Sequence, residues 1–285
     1  MKSSDQSRIP PNANTHSPKV RFAVSMALVT VCATAGCGGV DAGDEWSDGE
    51  IIGGQFDRGD RAVVGLYTTD ANDPSRGSIC TGEVIAPTVV LTAGHCVESS
   101  RLARIGIHAP IFGVLTGSEL DVGRRPLAVS KVITHPGYGP AGGPDVAVLI
   151  LERRIAIRPL ELNREPLSGT RSARAIGYGV AEDDRASRTA LVKRMAEVTI
   201  SEVSASTFNA LGDAGESQCF GDSGGPVLIE IDGQEKIAGI SSHTRDPNAS
   251  CGLGNVNTRV DVFADFIDEQ VSLAETHLPR TLRGR

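Results

Sequence analysis

Three side chains in this 285-residue sequence stand where they could carry acyl transfer: a serine among glycines, a histidine beside a cysteine and an aspartate at the mouth of an apolar run. In Gly221-Asp222-Ser223-Gly224-Gly225-Pro226, small neighbours let a turn expose the Ser223 hydroxyl while backbone N–H groups converge on one point. A nucleophile beside an oxyanion hole requires that arrangement. Leu91-Thr92-Ala93-Gly94-His95-Cys96 places an imidazole after an apolar strand and next to a cysteine, so a disulfide would fix the orientation of a general base. Asp145 opens the apolar residues 146–151, where a carboxylate could hold an imidazole tautomer and stabilise the imidazolium. Each feature has an ordinary reading by itself: a Gly-rich turn, a surface histidine, a solvated strand cap. Their conjunction points to nucleophilic catalysis.

Two other chemistries fit less well. The serine string also satisfies Gly-x-Ser-x-Gly, the nucleophile elbow of α/β-hydrolases, which needs a helix after the serine and the acid and histidine downstream. Here residues 226–231 read as strand and the partners precede Ser223, so that reading fails. With no Cys-x-x-Cys pair and no His-x-x-x-His helix, a zinc site has little support. No acidic loop argues for calcium, and neither a metal nor a cofactor is expected.

The elements that must position these groups are short β-like runs: 63–67, 83–85, 89–91, 131–133 and 146–151, then 173–176, 196–200, and a hairpin with arms 227–231 and 235–240 around Asp232-Gly233. Turn formers such as Asp73-Pro74 and residues 140–144 separate them. Two clusters of similar length, divided by polar residues 161–172, suggest two barrels or sandwiches of an all-β fold. Val262, Phe263, Phe266, Ile267 and Val271 have helical spacing, which predicts one closing amphipathic helix over about 261–270. Residues 271–285 read as a flexible tail.

Composition narrows the setting. At 40% hydrophobic residues the chain can bury a large core, and a net charge of -7 with scattered Lys and Arg offers no basic stripe for nucleic acid. Residues 1–36 read as an export signal: Lys2, Arg8, Lys19 and Arg21, then an uncharged apolar stretch ending in small residues. The apolar stretch gives way sooner than a membrane span of roughly 20 residues requires. Thr34-Ala35-Gly36-Cys37 also resembles a bacterial lipoprotein cleavage box, which would lipidate Cys37 and attach the chain to a membrane; the alternative is a soluble secreted protein. Acidic residues 37–50 read as a linker or pro-segment. Beyond Cys32 and Cys37, Cys80, Cys96, Cys219 and Cys251 suit two disulfides in an oxidising compartment, with three pairings open.

Taken in order, Ile51-Ile52-Gly53-Gly54, residues 91–96, Asp145-Val146-Ala147-Val148-Leu149, Gly177-Tyr178-Gly179 and residues 221–226 match landmarks of the chymotrypsin-like serine proteases. The chain resembles that family over about residues 51–270. The order His, Asp, Ser separates it from subtilisin, where Asp comes first. The resemblance implies two antiparallel β-barrels, about 51–160 and 161–260, with the triad His95, Asp145 and Ser223 in the cleft between them. It further implies an oxyanion hole from the Gly221 and Ser223 amides, the pairs Cys80–Cys96 and Cys219–Cys251, protein or peptide substrates, and a monomer. The rival is a non-catalytic homologue serving as a binding module, but such proteins commonly lose a triad residue and here all three stand.

In this family, cleavage before the Ile-Ile-Gly-Gly motif frees an amine that pairs with the Asp preceding the nucleophile. The equivalents are Ile51 and Asp222. Glu50 departs from the usual Arg or Lys before that bond, so an activating protease of other than trypsin-like specificity, or another route, is expected. Ser217 matches the floor of the specificity pocket and supplies no carboxylate to select Arg or Lys. Ser242-His243-Thr244 would form the edge that pairs with substrate backbone, with His243 replacing the usual Trp. Thr244 and Asn255 stand where open pockets carry Gly, so a small or medium uncharged residue before the scissile bond is expected.

Overall fold

The computed structural model describes residues 51–139, 143–181, 190–248 and 250–277. The export signal, Cys37, the linker before Ile51 and residues 278–285 lie outside these. A short strand β1 (Gln55–Phe56) precedes six strands, β2 (Val63–Asp70), β3 (Gly77–Ala86), β4 (Val89–Thr92), β5 (Pro110–Leu115), β6 (Leu127–Thr134) and β7 (Ala147–Leu151). They close into an antiparallel barrel in the order β2-β3-β4-β7-β6-β5. After β8 (Glu161–Leu162) come β9 (Arg171–Gly177), β10 (Arg194–Ser201), β11 (Thr207–Leu211), β12 (Pro226–Ile231), β13 (Gln234–Thr244) and β14 (Asn255–Arg259). These run β10-β11-β14-β13-β12-β9, and pairing of β9 with β10 closes the second barrel. Helix α1 (Ser99–Arg104) follows the histidine turn, and α2 (Val260–His277) ends the described chain.

The apolar run 146–151 is continuous because both faces of β7 and its approach are buried. Ala147, Leu149 and Leu151 fill the first barrel with Val64, Val84 and Val90. Val146 and Val148 face the other way, into a cluster shared with Ile176, Leu228 and Ile240 of the second barrel and with Val260 and Ile267 of α2. The period-2 alternation of strands thus divides one apolar segment between a barrel interior and the seam that joins the barrels.

Helix α2 corrects the expected boundary. It continues to His277, so residues 271–277 are helix and not tail. Val260, Ile267 and Ala274 are buried and repeat every seven residues, two helical turns. Ala274 is too small to stand out in a sequence reading, yet it packs into the seam cluster and extends the buried stripe by a turn. Val262, expected on the apolar face, is 44% exposed.

Glu83 lies across from Val63 and Leu91 in the β2–β3–β4 ladder, which puts its side chain on the seam side. It is fully buried, and among the described residues neither carboxylate oxygen has a hydrogen-bond partner. Burial pushes its carboxyl well above the usual range, so the folded protein holds it neutral. A carboxyl raised in this way contributes stability that is complete below its unfolded value, about 4.3, and is lost as pH climbs toward the folded value. Glu83→Gln removes the titration. In urea denaturation the variant should gain on wild type steadily from pH 4 to pH 8; parallel pH curves would contradict the account.

Candidate active site

The β4–β7 register brings His95 and Asp145 together across a separation of fifty residues. Thr92 pairs with Ala147, so the residues that leave β4 at that end and those that enter β7 share one corner. A 3₁₀ turn, Gly94–Cys96, then aims the imidazole. Asp145 Oδ1 accepts from the His95 amide at 2.8 Å and Oδ2 lies 2.7 Å from His95 Nδ1. The Ser242 hydroxyl of β13 donates to Oδ2 at 2.5 Å. Burial pulls the Asp145 carboxyl upward, but the hydrogen bonds and charge of His95 and the Ser242 bond outweigh it and hold the group below its ordinary value. An ionised Asp145 places the imidazole proton on Nδ1 and leaves the Nε2 lone pair as the base. Nε2 is buried and has no hydrogen-bond partner among the described residues, so the Ser223 hydroxyl is not bonded to it in this structure.

Ser223 comes from the second barrel, yet its loop is clamped to the first. Thr81 of β3 donates its amide to the Ser223 carbonyl at 2.8 Å and its hydroxyl to the Gly221 carbonyl at 2.9 Å. Cys96 Sγ, beside His95, lies 3.5 Å from the Ser223 carbonyl oxygen. Two glycines make the loop possible. Gly221 and Gly224 have φ of 102° and 84°, values that L side chains rarely adopt. A Cβ on Gly224 would come within 2.1 Å of the Thr92 hydroxyl and 2.4 Å of the Thr81 carbonyl. The amides of Asp222, Gly224 and Gly225 each donate within the protein, whereas those of Gly221 and Ser223 donate to nothing among the described residues. Two donors on one turn are left for an outside acceptor.

The expected disulfide residues pair as Cys80–Cys96 and Cys219–Cys251. The first ties β3 to the histidine turn and the second braces the segment leading to Ser223. Because both sulfurs of the first are oxidised, the grouping of Cys80, His95 and Cys96 lacks the thiolates a metal would bind.

Asp222 is fully buried; its carboxylate accepts from the amides of Gly179 and Cys219, both at 2.8 Å. Burial pushes its pKa up to about 7 against the pull of those bonds and the Arg194 charge. Ile51 is also buried, packed with Ala196, Val198 and Ala238. It has φ of 29°, a strained value for a β-branched residue. The Ile52 carbonyl accepts from the amide of Ser217, on the segment that runs into Asp222.

Ser217 is buried with its hydroxyl on the Gln218 carbonyl. Thr244 and Asn255 are directly opposite in the β13–β14 ladder, so their side chains share a face. Asn255 is buried and accepts from the Ser241 hydroxyl at 3.1 Å, and the Thr244 hydroxyl reaches the Asp246 carbonyl at 3.4 Å. His243 is exposed, with Nδ1 3.1 Å from Ser242 Oγ. Sequence reasoning missed three contributors: the Thr81 clamp, the Ser242 bond to Asp145, and Gln218, whose buried Oε1 has no partner among the described residues. A polar residue next to each recognised landmark was the only signal for them.

Residues 51–267 match the family model described as Trypsin. Relatives include bovine (Bos taurus) chymotrypsin-like elastase family member 1, 26% identical over 68% of this chain and 79% of its own length. A trypsin from Saccharopolyspora erythraea is 28% identical over 72% of this chain and 92% of its own. The solved structure of neuropsin, a serine protease expressed in the limbic system of mouse brain, superposes with a TM-score of 0.61 at 20% identity, covering 76% of this chain and 98% of that one. The chain belongs to the trypsin family and is a serine endopeptidase.

Proposed function

We propose that the chain cleaves peptide bonds through an acyl-enzyme, with Ser223 as nucleophile, His95 as general base and then acid, and Asp145 orienting His95. The observation that carries this reading is the bond that His95 Nδ1 donates to Asp145 Oδ2, which leaves Nε2 basic beside a loop whose Gly221 and Ser223 amides are uncommitted. Rotation of the Ser223 side chain toward Nε2 would complete the relay, and catalytic hydrogen bonds commonly tighten only when substrate binds. The two amides would hold the oxyanion, where one donor is worth about 2.7 to 4 kcal/mol of barrier. Retention of all these groups speaks against the binding-module alternative.

The chain is made as a precursor in this reading, exported, and cut before Ile51 by a protease that accepts Glu50. The new Ile51 amine would pair with the buried carboxylate of Asp222. Two disulfides fit an oxidising compartment, and lipidation of Cys37 would hold the enzyme at the cell envelope.

The specificity pocket has Ser217 as its floor and Thr244 and Asn255 facing one another across its wall. It should accept a small or medium uncharged side chain. Steady-state kinetics of the chain beginning at Ile51 on matched peptide anilides tests this: Ala or Leu before the scissile bond should give a kcat/KM well above that for Arg. Efficient Arg cleavage with none after Ala or Leu would refute it.

A further inference from the structure

The cleft edge carries an imidazole that triad catalysis does not call for. We propose that His243 is a positioning residue extending the relay beyond Asp145: its ring braces the Ser242 hydroxyl on Asp145 and, once protonated, slows the reaction. The inference rests on the triad reading above.

Proton accounting fixes the chain of bonds. Ser242 Oγ lies 2.5 Å from Asp145 Oδ2 and 3.1 Å from His243 Nδ1. An ionised carboxylate can only accept, so the single hydroxyl proton of Ser242 points at Asp145. Ser242 Oγ is then an acceptor toward His243, whose Nδ1 must carry a proton. Neutral His243 is therefore the Nδ1–H tautomer, and Nε2 is the atom that titrates. The bond from His243 polarises the hydroxyl toward Asp145, since linked hydrogen bonds strengthen one another.

The charged surroundings of His243 are few. Partial desolvation holds its pKa below the ordinary histidine value; Asp145 pulls it up, and His95 when charged pushes it down. From β14 the opposite residue is Val256, with Asn255 and Asn257 to either side. On its own strand end, Arg245 is engaged by Glu202 at 2.6 Å, and the Asp246 carboxylate accepts from the Asn248 amide. Tyr138, near Asp145, is kept neutral by a pKa raised through burial and the Asp145 charge. Asp145 and His95 are thus the groups that His243 senses and acts upon.

The consequence is a second titration inside the catalytic cycle. The transition state requires His95 to become an imidazolium. A positive His243 in the same field opposes that charge and weakens the proton affinity of His95. Turnover should fall several-fold when His243 protonates. The acid limb of kcat/KM then reflects two protons, and its apparent values belong to the coupled pair.

The test compares wild type, H243Q and H243F in the chain beginning at Ile51. The pH profile of kcat/KM is measured with one uncharged anilide substrate, alongside imidazole 15N NMR. Wild type should show a two-proton acid limb, and both variants a one-proton limb. The NMR spectrum should show His243 as the Nδ1–H tautomer. An Nε2–H tautomer, or an acid limb that H243Q leaves unchanged, would overturn the inference. The NMR measurements need no turnover, so they decide it separately from the peptidase reading, which fails instead if Ser223 is neither labelled by a fluorophosphonate nor able to support hydrolysis.

Discussion

Ser223→Ala in the chain beginning at Ile51 is expected to lower kcat by about a million-fold and to abolish labelling by a fluorophosphonate probe, with unfolding unchanged. The size follows from how a relay works: removing the nucleophile or the base alone costs about as much as removing the whole unit, and what survives comes from binding and the oxyanion donors. His95→Ala should match it within a few fold, and the double variant should be no worse than either. Asp145→Asn should cost less, about ten-thousand-fold, because the geometry survives while the tautomer is wrong. Additive losses in the double variant would mean that His95 and Ser223 do not act together, and the acyl-enzyme reading would fall. Active-site labelling with intact mass measurement, beside steady-state kinetics, reads both quantities.

Asp222→Asn should act with opposite signs on the two forms of the chain. In the precursor the carboxyl is pushed up to about 7 by burial. Its contribution to stability is complete below the unfolded value near 3.9 and is lost as pH rises through the folded value. An amide there removes that loss, so the precursor variant should be more stable than wild type at pH 8 and close to it at pH 4. If the chain is cut before Ile51 as proposed, the same substitution would remove the partner of the Ile51 amine. Breaking a buried pair costs about 3 to 5 kcal/mol, which at about 1.4 kcal/mol per decade is roughly two to four powers of ten in activity. Wild-type activity should also fall at alkaline pH as the amine, with a reference value of about 7.7 to 8.0 raised by its partner, loses its proton. The variant should lack that limb. Full activity of processed Asp222→Asn would show that the amine and this carboxylate are not coupled.

The candidate groups were easier to pick out from the sequence than the elements that support them. His95, Asp145 and Ser223 each sit in a short string whose composition is constrained by what the group must do. The strands β2, β3, β4, β6, β7, β9, β10, β12 and β13 announced themselves through short β-like runs. Strands β5, β11 and β14 did not: Asn255-Val256-Asn257-Thr258-Arg259 is polar at every position but Val256 and wins its place through ladder bonds to β11 and β13. Glu83 and Lys193 look like surface residues in the sequence, yet both are buried. Lys193 is accommodated by Asp57, 3.4 Å away, and by the Asp60 carbonyl, groups more than a hundred residues earlier. Thr81 and Ser242 were illegible for the same reason, since their roles depend on which strand lies opposite, a tertiary fact that local pattern does not encode.

The β4–β7 corner puts the acid and the base on one lobe, while the nucleophile rides on the other. Sliding one lobe against the other would leave the imidazole and its carboxylate together but would have to break the Thr81 bonds that clamp the Ser223 loop to the first barrel before the hydroxyl could move out of range. Inactivation by pressure, mild denaturant or a wedge-shaped inhibitor in the seam can therefore precede any loss of secondary structure. An allosteric brake on this enzyme need never approach the scissile bond.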